Sequence, residues 1–258
     1  MSEGKVHLTI EGGVASVVFD RPKARNAMTW AMYEQLGHIC TQLKADTTAR
    51  VVTFRGAGGQ AFVAGTDIEQ FGAFKNGEDG VAYERQIDQC IGQLEALPMP
   101  TVAVIDGWTI GGGLAISTAC DFRIATPGSR FGVPIAKTLG NCLSIANLAR
   151  LGAAFGMQRV KRMLILAEIV NADEALACGY LIQVCENTEL EAQTARLCER
   201  LSSLAPVTQS VTKESLRRLL VQDLPDGEDL IRRCYGSGDF REGVDAFVGK
   251  RSPLWKGL

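Results

Sequence analysis

Residues 101–121, TVAVIDGWTIGGGLAISTACD, leave little choice of local fold. An apolar strand over 102–105 runs into a tight turn, and Gly111-Gly112-Gly113 opens a helix that continues from Leu114. Consecutive glycines let a ligand or another backbone approach closely, because no Cβ stands in the way. The first amides of a helix have no partner within it, and the helix dipole makes that end partly positive. Such a corner can hold a carbonyl oxygen that gains negative charge during a reaction. On these residues alone a turn that merely packs tightly fits equally well. A second glycine-bearing stretch upstream, AFVAGTDI at 61–68, favours the chemical reading.

The 258 residues suit one large domain, or one domain with a small appendage. An apolar share of 46% allows a substantial core. A net charge of −2 gives no sign of nucleic acid or an anionic membrane as partner. The opening MSEGKVHLTIEGG has no apolar signal core, and no run reaches the roughly 18 apolar residues of a membrane span. A cytoplasmic location without membrane contact is expected. The eight cysteines form no CxxC pair, which argues against a zinc site and for reduced, buried thiols. With only His7 and His38 available, one in a strand-like and one in a helix-like run, a histidine metal site or triad is not expected. No metal or separate cofactor is called for.

Alternation over 6–10 and 14–19 around Glu11-Gly12-Gly13 predicts a β-hairpin, ended by Asp20-Arg21-Pro22. Thr29 can cap a helix whose apolar positions are Met32, Leu36, Ile39 or Cys40, and Leu43. A strand over 51–54, a helix over 81–97 stopped by prolines, and a strand over 122–125 follow. Helices are expected over 143–151 and 158–166, then a short one capped by Asn171 and ended by Gly179, then a strand over 181–184. Gly56-Ala57-Gly58-Gly59 is a loop, and no Gly-Lys-Ser/Thr follows it to make a nucleotide cradle. After residue 189 strand signals cease and four helical stretches, 189–204, 208–221, 226–235 and 239–249, complete the chain.

In order and spacing, DRPKARNAM at 20–28, AFVAGTDI at 61–68, residues 100–121, NADEAL at 171–176 and FREGVDAF at 240–247 resemble the crotonase superfamily, the enoyl-CoA hydratase/isomerase family, nearly end to end. The resemblance implies an α/β fold, a crotonase-like spiral of ββα units over residues 1–195, with a C-terminal helical subdomain over 196–258 that builds homotrimers, often paired into homohexamers. It implies an acyl-CoA thioester as substrate, with CoA part of the substrate rather than a cofactor. The thioester oxygen would sit between the backbone amides of Thr66 and Gly112. The Thr66 hydroxyl would be incidental. Lys23 and Arg25 would meet the CoA phosphates, backbone around Ala64, Asp67 and Ile68 the adenine, and Phe247 and Lys250 a neighbouring subunit's CoA. Without the resemblance, Lys23, Arg25 and Lys250 read as ordinary solvated charges.

The resemblance also exposes a departure. Hydratases of the family carry one glutamate shortly after the glycine triplet and another after Phe-Gly-x-Pro; here those positions hold Ala115 and Ile135, which cannot move a proton. Lys137 is the nearest ionisable alternative and can equally face solvent. Asn141, Cys142 and Ser144 occupy the segment where another branch of the superfamily places a catalytic aspartate. Asn141 can orient water, Ser144 can cap a helix or face the acyl pocket beside Ala115 and Ile135, and Cys142 is either a thiolate activated by a helix dipole or a packing residue. Of the nearby carboxylates Asp67, Glu69 and Asp121, none is expected to act as a base. The chain thus reads as an acyl-CoA-processing enzyme outside the two-glutamate hydration mechanism. Alternatives are a non-catalytic acyl-CoA binding protein and a thioester hydrolase or dehalogenase-like enzyme on the same fold. GWTIGGG is not the GxGxxG of a dinucleotide oxidoreductase.

Overall fold

The computed structural model describes residues 4–257. Strands β1 (Lys5–Glu11) and β2 (Val14–Asp20) form the expected hairpin, in register from Lys5 with Asp20 to Glu11 with Val14. Gly12 and Gly13 turn the chain at φ of +56° and +81°, where a side chain would be strained. Thr29 caps α1 (Trp30–Ala45) by accepting from the Met32 amide, and the stripe from Met32 to Leu43 is buried as its spacing requires.

From there the chain repeats one pattern: a strand in a large sheet, a short strand in a small sheet, then helix. β3 (Val51–Gly56) and β4 (Ala61–Ala64) lead through a 3-10 turn (Ile68–Ala73) to α2 (Gly77–Glu95). β5 (Thr101–Ile105) and β6 (Trp108–Ile110) lead to α3 (Gly112–Ala119). β7 (Phe122–Ala125) and β8 (Arg130–Gly132) lead to α4 (Ile135–Thr138), α5 (Ile145–Phe155) and α6 (Met157–Ile165). β9 (Val170–Asn171), α7 (Ala172–Ala177) and β10 (Gln183–Val184) complete the alternating part. The large sheet has the order β1-β2-β3-β5-β7-β10 and the small one β4-β6-β8-β9. Pairing is parallel except in the hairpin and between β8 and β9.

Strands β3 and β5 read as unbroken apolar runs because both faces are covered. Val52, Phe54, Ala103 and Ile105 enter the main core with α1, α2 and α3. Val51, Val102 and Val104 face the other way, against Leu190, Cys198 and Leu201 of α8 (Leu190–Ser202). α9 (Pro206–Val221) follows, then α10 (Glu228–Tyr235) and α11 (Gly238–Val248). These last two fold back onto their own chain: Ile231, Tyr235, Phe240 and Val244 build a third cluster with Phe71, Val81 and Leu139. Among the described residues no helix is long and apolar enough to cross a membrane.

Three local expectations need correction. The helix after the glycine corner starts at Gly112 rather than Leu114, and β6 fills the supposed turn before it. The strand expected over 181–184 pairs only at Gln183 and Val184. The small sheet was not foreseen at all, since strands of two to four residues are too short to show a period.

Candidate active site

β4 and β6 lie side by side, with Val63 opposite Thr109 and Ala64 opposite Ile110. The turns that leave them, Gly65-Thr66 and Gly111-Gly112, are therefore neighbours. Gly65 (φ +100°) and Gly111 (φ +54°) supply the positive φ these turns need. Packing explains the other two glycines: a Cβ on Gly112 would lie 2.3 Å from the Tyr33 hydroxyl, and one on Gly113 2.0 Å from the Val63 carbonyl oxygen.

Around this corner some backbone groups are paired, while among the described residues the first-turn amides of α3 are not. Gly111 N donates to Gly132 O (3.0 Å), Ala115 N to Gly111 O (3.1 Å) and Asp67 N to Met28 O (2.8 Å). Among the described residues, the amides of Thr66 and Gly112 have no such backbone acceptor. Both residues line a cavity of about 190 Å³. The Thr66 hydroxyl is not idle: it joins Tyr33 Oη (2.9 Å) to Tyr83 Oη (3.0 Å). Burial pushes both tyrosines above their ordinary value, so they are neutral hydroxyls.

Besides apolar side chains the cavity is also lined by Tyr83, Thr138, Asn141 and Asn147 and by a single carboxyl among the described residues. Glu84 of α2, 2% exposed, is held at both oxygens. Oε1 accepts from Tyr235 Oη at 2.7 Å and Oε2 from Ser144 N at 3.0 Å. Burial pushes this carboxyl up to about 7; the two hydrogen bonds pull the other way and the neighbouring Asp88 charge adds to the rise. Asn141 Nδ2 donates to Tyr235 Oη at 3.2 Å, while its buried Oδ1 has no partner among the described residues.

The enoyl-CoA hydratase/isomerase profile matches residues 9–258. The chain belongs to the enoyl-CoA hydratase/isomerase family. It is 30% identical to a short-chain-enoyl-CoA hydratase of Clostridium acetobutylicum, covering 97% of each chain. It is 31% identical to a carnitinyl-CoA dehydratase of Proteus mirabilis, covering 98% of each. Among solved structures, a methylmalonyl-CoA decarboxylase in complex with 2-nitronate-propionyl-CoA superposes with a TM-score of 0.89 at 27% identity over 98% of each chain. The α/β spiral read from the sequence is the fold of these proteins.

In this family member the residues singled out from sequence separate into groups. Ala64, Thr66, Ile68, Gly112, Ala115, Ile135, Asn141 and Phe247 all line the one cavity. Phe247 does so in its own chain, half exposed at the end of α11. Lys23 and Arg25 are exposed on the loop after β2, whose Arg25 carbonyl accepts from Ala64 N at 3.0 Å. Asp67 caps the 3-10 turn, and its carboxylate pairs with Arg21 at 2.7 Å. Lys250 is exposed just beyond α11, and Lys137 faces solvent as well. Asp121 is held by Thr101 N and Oγ1 and by Lys213.

Geometry decides two readings that the sequence left open, against a cavity role in both. Cys142 packs against the cluster of Phe71 and Tyr235 rather than lining the cavity. Its hydrogen bond with Cys234 and its burial push the thiol up, the opposite of activation by a helix dipole. Ser144 caps α5, one of its two readings, but lies outside the cavity lining where the acyl-pocket reading put it: its Oγ donates to Asp88 (2.7 Å) and accepts from Asn147 N (3.2 Å). Glu84 was overlooked although a signal existed. It stands in the apolar stripe Val81, Ile87, Ile91, Leu94 of α2, where a carboxylate is out of place unless something holds it.

Proposed function

We propose that this protein binds an acyl-CoA thioester and stabilises the negative charge that enolisation places on the thioester oxygen, using the amides of Thr66 and Gly112. The observation that carries the reading is the pair of amides without backbone acceptors, on adjoining turns beside one cavity. Each fixed donor aimed at a developing oxyanion is worth roughly 3 kcal/mol of barrier. Gly112 adds the positive end of α3. The similar proteins act, by name, on enoyl-CoA, carnitinyl-CoA and methylmalonyl-CoA, which supports the substrate class. Lys23 and Arg25 beside Ala64 suit the CoA diphosphate, the backbone at Asp67 and Ile68 suits the adenine, and the half-exposed Phe247 in the cavity lining and the exposed Lys250 three residues on suit CoA contacts. With Ala115 and Ile135 at the cavity wall, the reaction is not a two-glutamate hydration. The functional unit is a homotrimer or homohexamer, which would cover apolar residues left exposed here, such as Ile165, Leu166, Val207 and Leu219.

The test is Gly112→Ala. The new methyl group would press on the Tyr33 hydroxyl and move the amide, so turnover should fall at least about 100-fold while folding stays cooperative. Adding Tyr33→Phe removes the obstructing oxygen and should restore part of the loss. Unchanged turnover and unchanged acyl-CoA affinity in Gly112→Ala would refute the assignment.

A further inference from the structure

We propose that Glu84, at neither of the positions where the family's hydratases carry glutamates, is the catalytic residue that removes and returns the proton on the carbon next to the thioester carbonyl. This rests on the acyl-CoA reading above. Among the described residues that line the cavity, Glu84 is the one carboxyl. Of the other polar side chains there, Tyr83 is bonded to Thr66, Thr138 to the Pro134 carbonyl oxygen at 3.0 Å, Asn141 through Nδ2 to Tyr235 and Asn147 through Oδ1 to Arg150, and amides and neutral hydroxyls are not bases near neutral pH.

Glu84 is built like a positioned base rather than a stray buried charge. One donor reaches each oxygen, Tyr235 Oη from α10 and Ser144 N from the segment before α5, so the carboxyl plane is held from two separate elements. With one donor apiece, each oxygen keeps a further acceptor site. Fixing the group before substrate arrives removes the cost of orienting it during reaction. Asn141 in turn anchors Tyr235. Around the carboxyl stand Asp88 on the same helix, Tyr235 on α10, Tyr33 on α1, Tyr83, Cys142 and Cys234. Asp88 is itself occupied by Ser144 Oγ and lies 3.7 Å from Arg150. Burial and the Asp88 charge raise the proton affinity of Glu84 against the pull of its two hydrogen bonds, which suits a base that must take a proton from carbon near neutrality.

The step balances without a co-reactant. The C–H pair becomes the enolate double bond, the carbonyl π pair moves to the thioester oxygen beside Thr66 and Gly112, and the proton bonds to a Glu84 oxygen. Return of the proton to the same carbon gives exchange with solvent; return further along an unsaturated chain moves a double bond.

The experiment incubates the protein with acetyl-, propionyl- and butyryl-CoA in deuterated water and follows deuterium at the α-carbon by NMR, with binding measured by calorimetry. Wild type should exchange, and Glu84→Gln should exchange at least about 100-fold more slowly at unchanged affinity. Glu84→Asp should recover part of the rate. The wild-type rate should rise with pH to a plateau through about 7. Tyr235→Phe removes a hydrogen bond that favours the carboxylate, so its midpoint should move to higher pH. A purely structural Glu84 would alter stability without moving that midpoint. Wild-type exchange in Glu84→Gln, or binding without exchange of any of the three thioesters by wild type, overturns the proposal. Absence of binding by wild type overturns the acyl-CoA reading itself.

Discussion

Replacing Glu84 by glutamine should make the fold more stable above neutral pH and flatten its pH dependence. The carboxyl's ordinary value is 4.5 and the folded environment moves it to about 7. Between those values the folded protein keeps a proton that the unfolded chain has released, so stability falls as pH rises. Below about pH 4 both states are protonated and the effect vanishes; above about pH 8 the full cost is present. At 1.36 kcal/mol per unit, the displacement corresponds to roughly 3 kcal/mol. That is a large fraction of the 5–15 kcal/mol typical of a folded domain. Asp88, also raised by burial, acts in the same direction and should leave a residual slope. Glutamine keeps the volume and one acceptor, so its loss of about 1 kcal/mol for a weakened hydrogen bond is the same at every pH. Urea denaturation of both proteins at pH 5, 6, 7 and 8, at one protein concentration and without acyl-CoA, reads the difference. The gap in unfolding free energy should widen by about 2–3 kcal/mol in favour of Glu84→Gln from pH 5 to pH 8. Parallel pH profiles would show that the carboxyl is ordinarily solvated and would refute the burial argument.

Cys142→Ser should retain turnover, because the thiol packs away from the cavity, whereas Asn141→Ala should lower it by loosening Tyr235; a severe loss confined to Cys142→Ser would restore the nucleophile reading. Light scattering at micromolar concentration should give three or six times the 27.8 kDa protomer, and a monomer would refute the proposed assembly.

Much of this architecture is written locally. Thr29, Asn171 and the stripe from Met32 to Leu43 announce their helices because capping and period 3.6 need only neighbours in sequence. The order of the glycine corner, AFVAGTDI and the C-terminal FREGVDAF carried the family, and it is the resemblance that sets Ala115 and Ile135 at the two glutamate positions. What could not be read is whatever depends on distant segments meeting. The small sheet exists because each short strand pairs with one from the next turn of the spiral, parallel from β4 to β8 and antiparallel at β9, contacts between distant segments with no local signature. Cys142 looked poised at a helix start, yet Cys234, far along the chain, raises its thiol. Glu84 falls in the apolar stripe of α2, which hints at burial but not at what holds it. Only the return of α10 over that helix, bringing Tyr235 to one carboxyl oxygen while Ser144 reaches the other, turns it into a buried group facing a cavity. Sequence determines which groups are available; burial and hydrogen bonding decide their charge, and those belong to the tertiary structure.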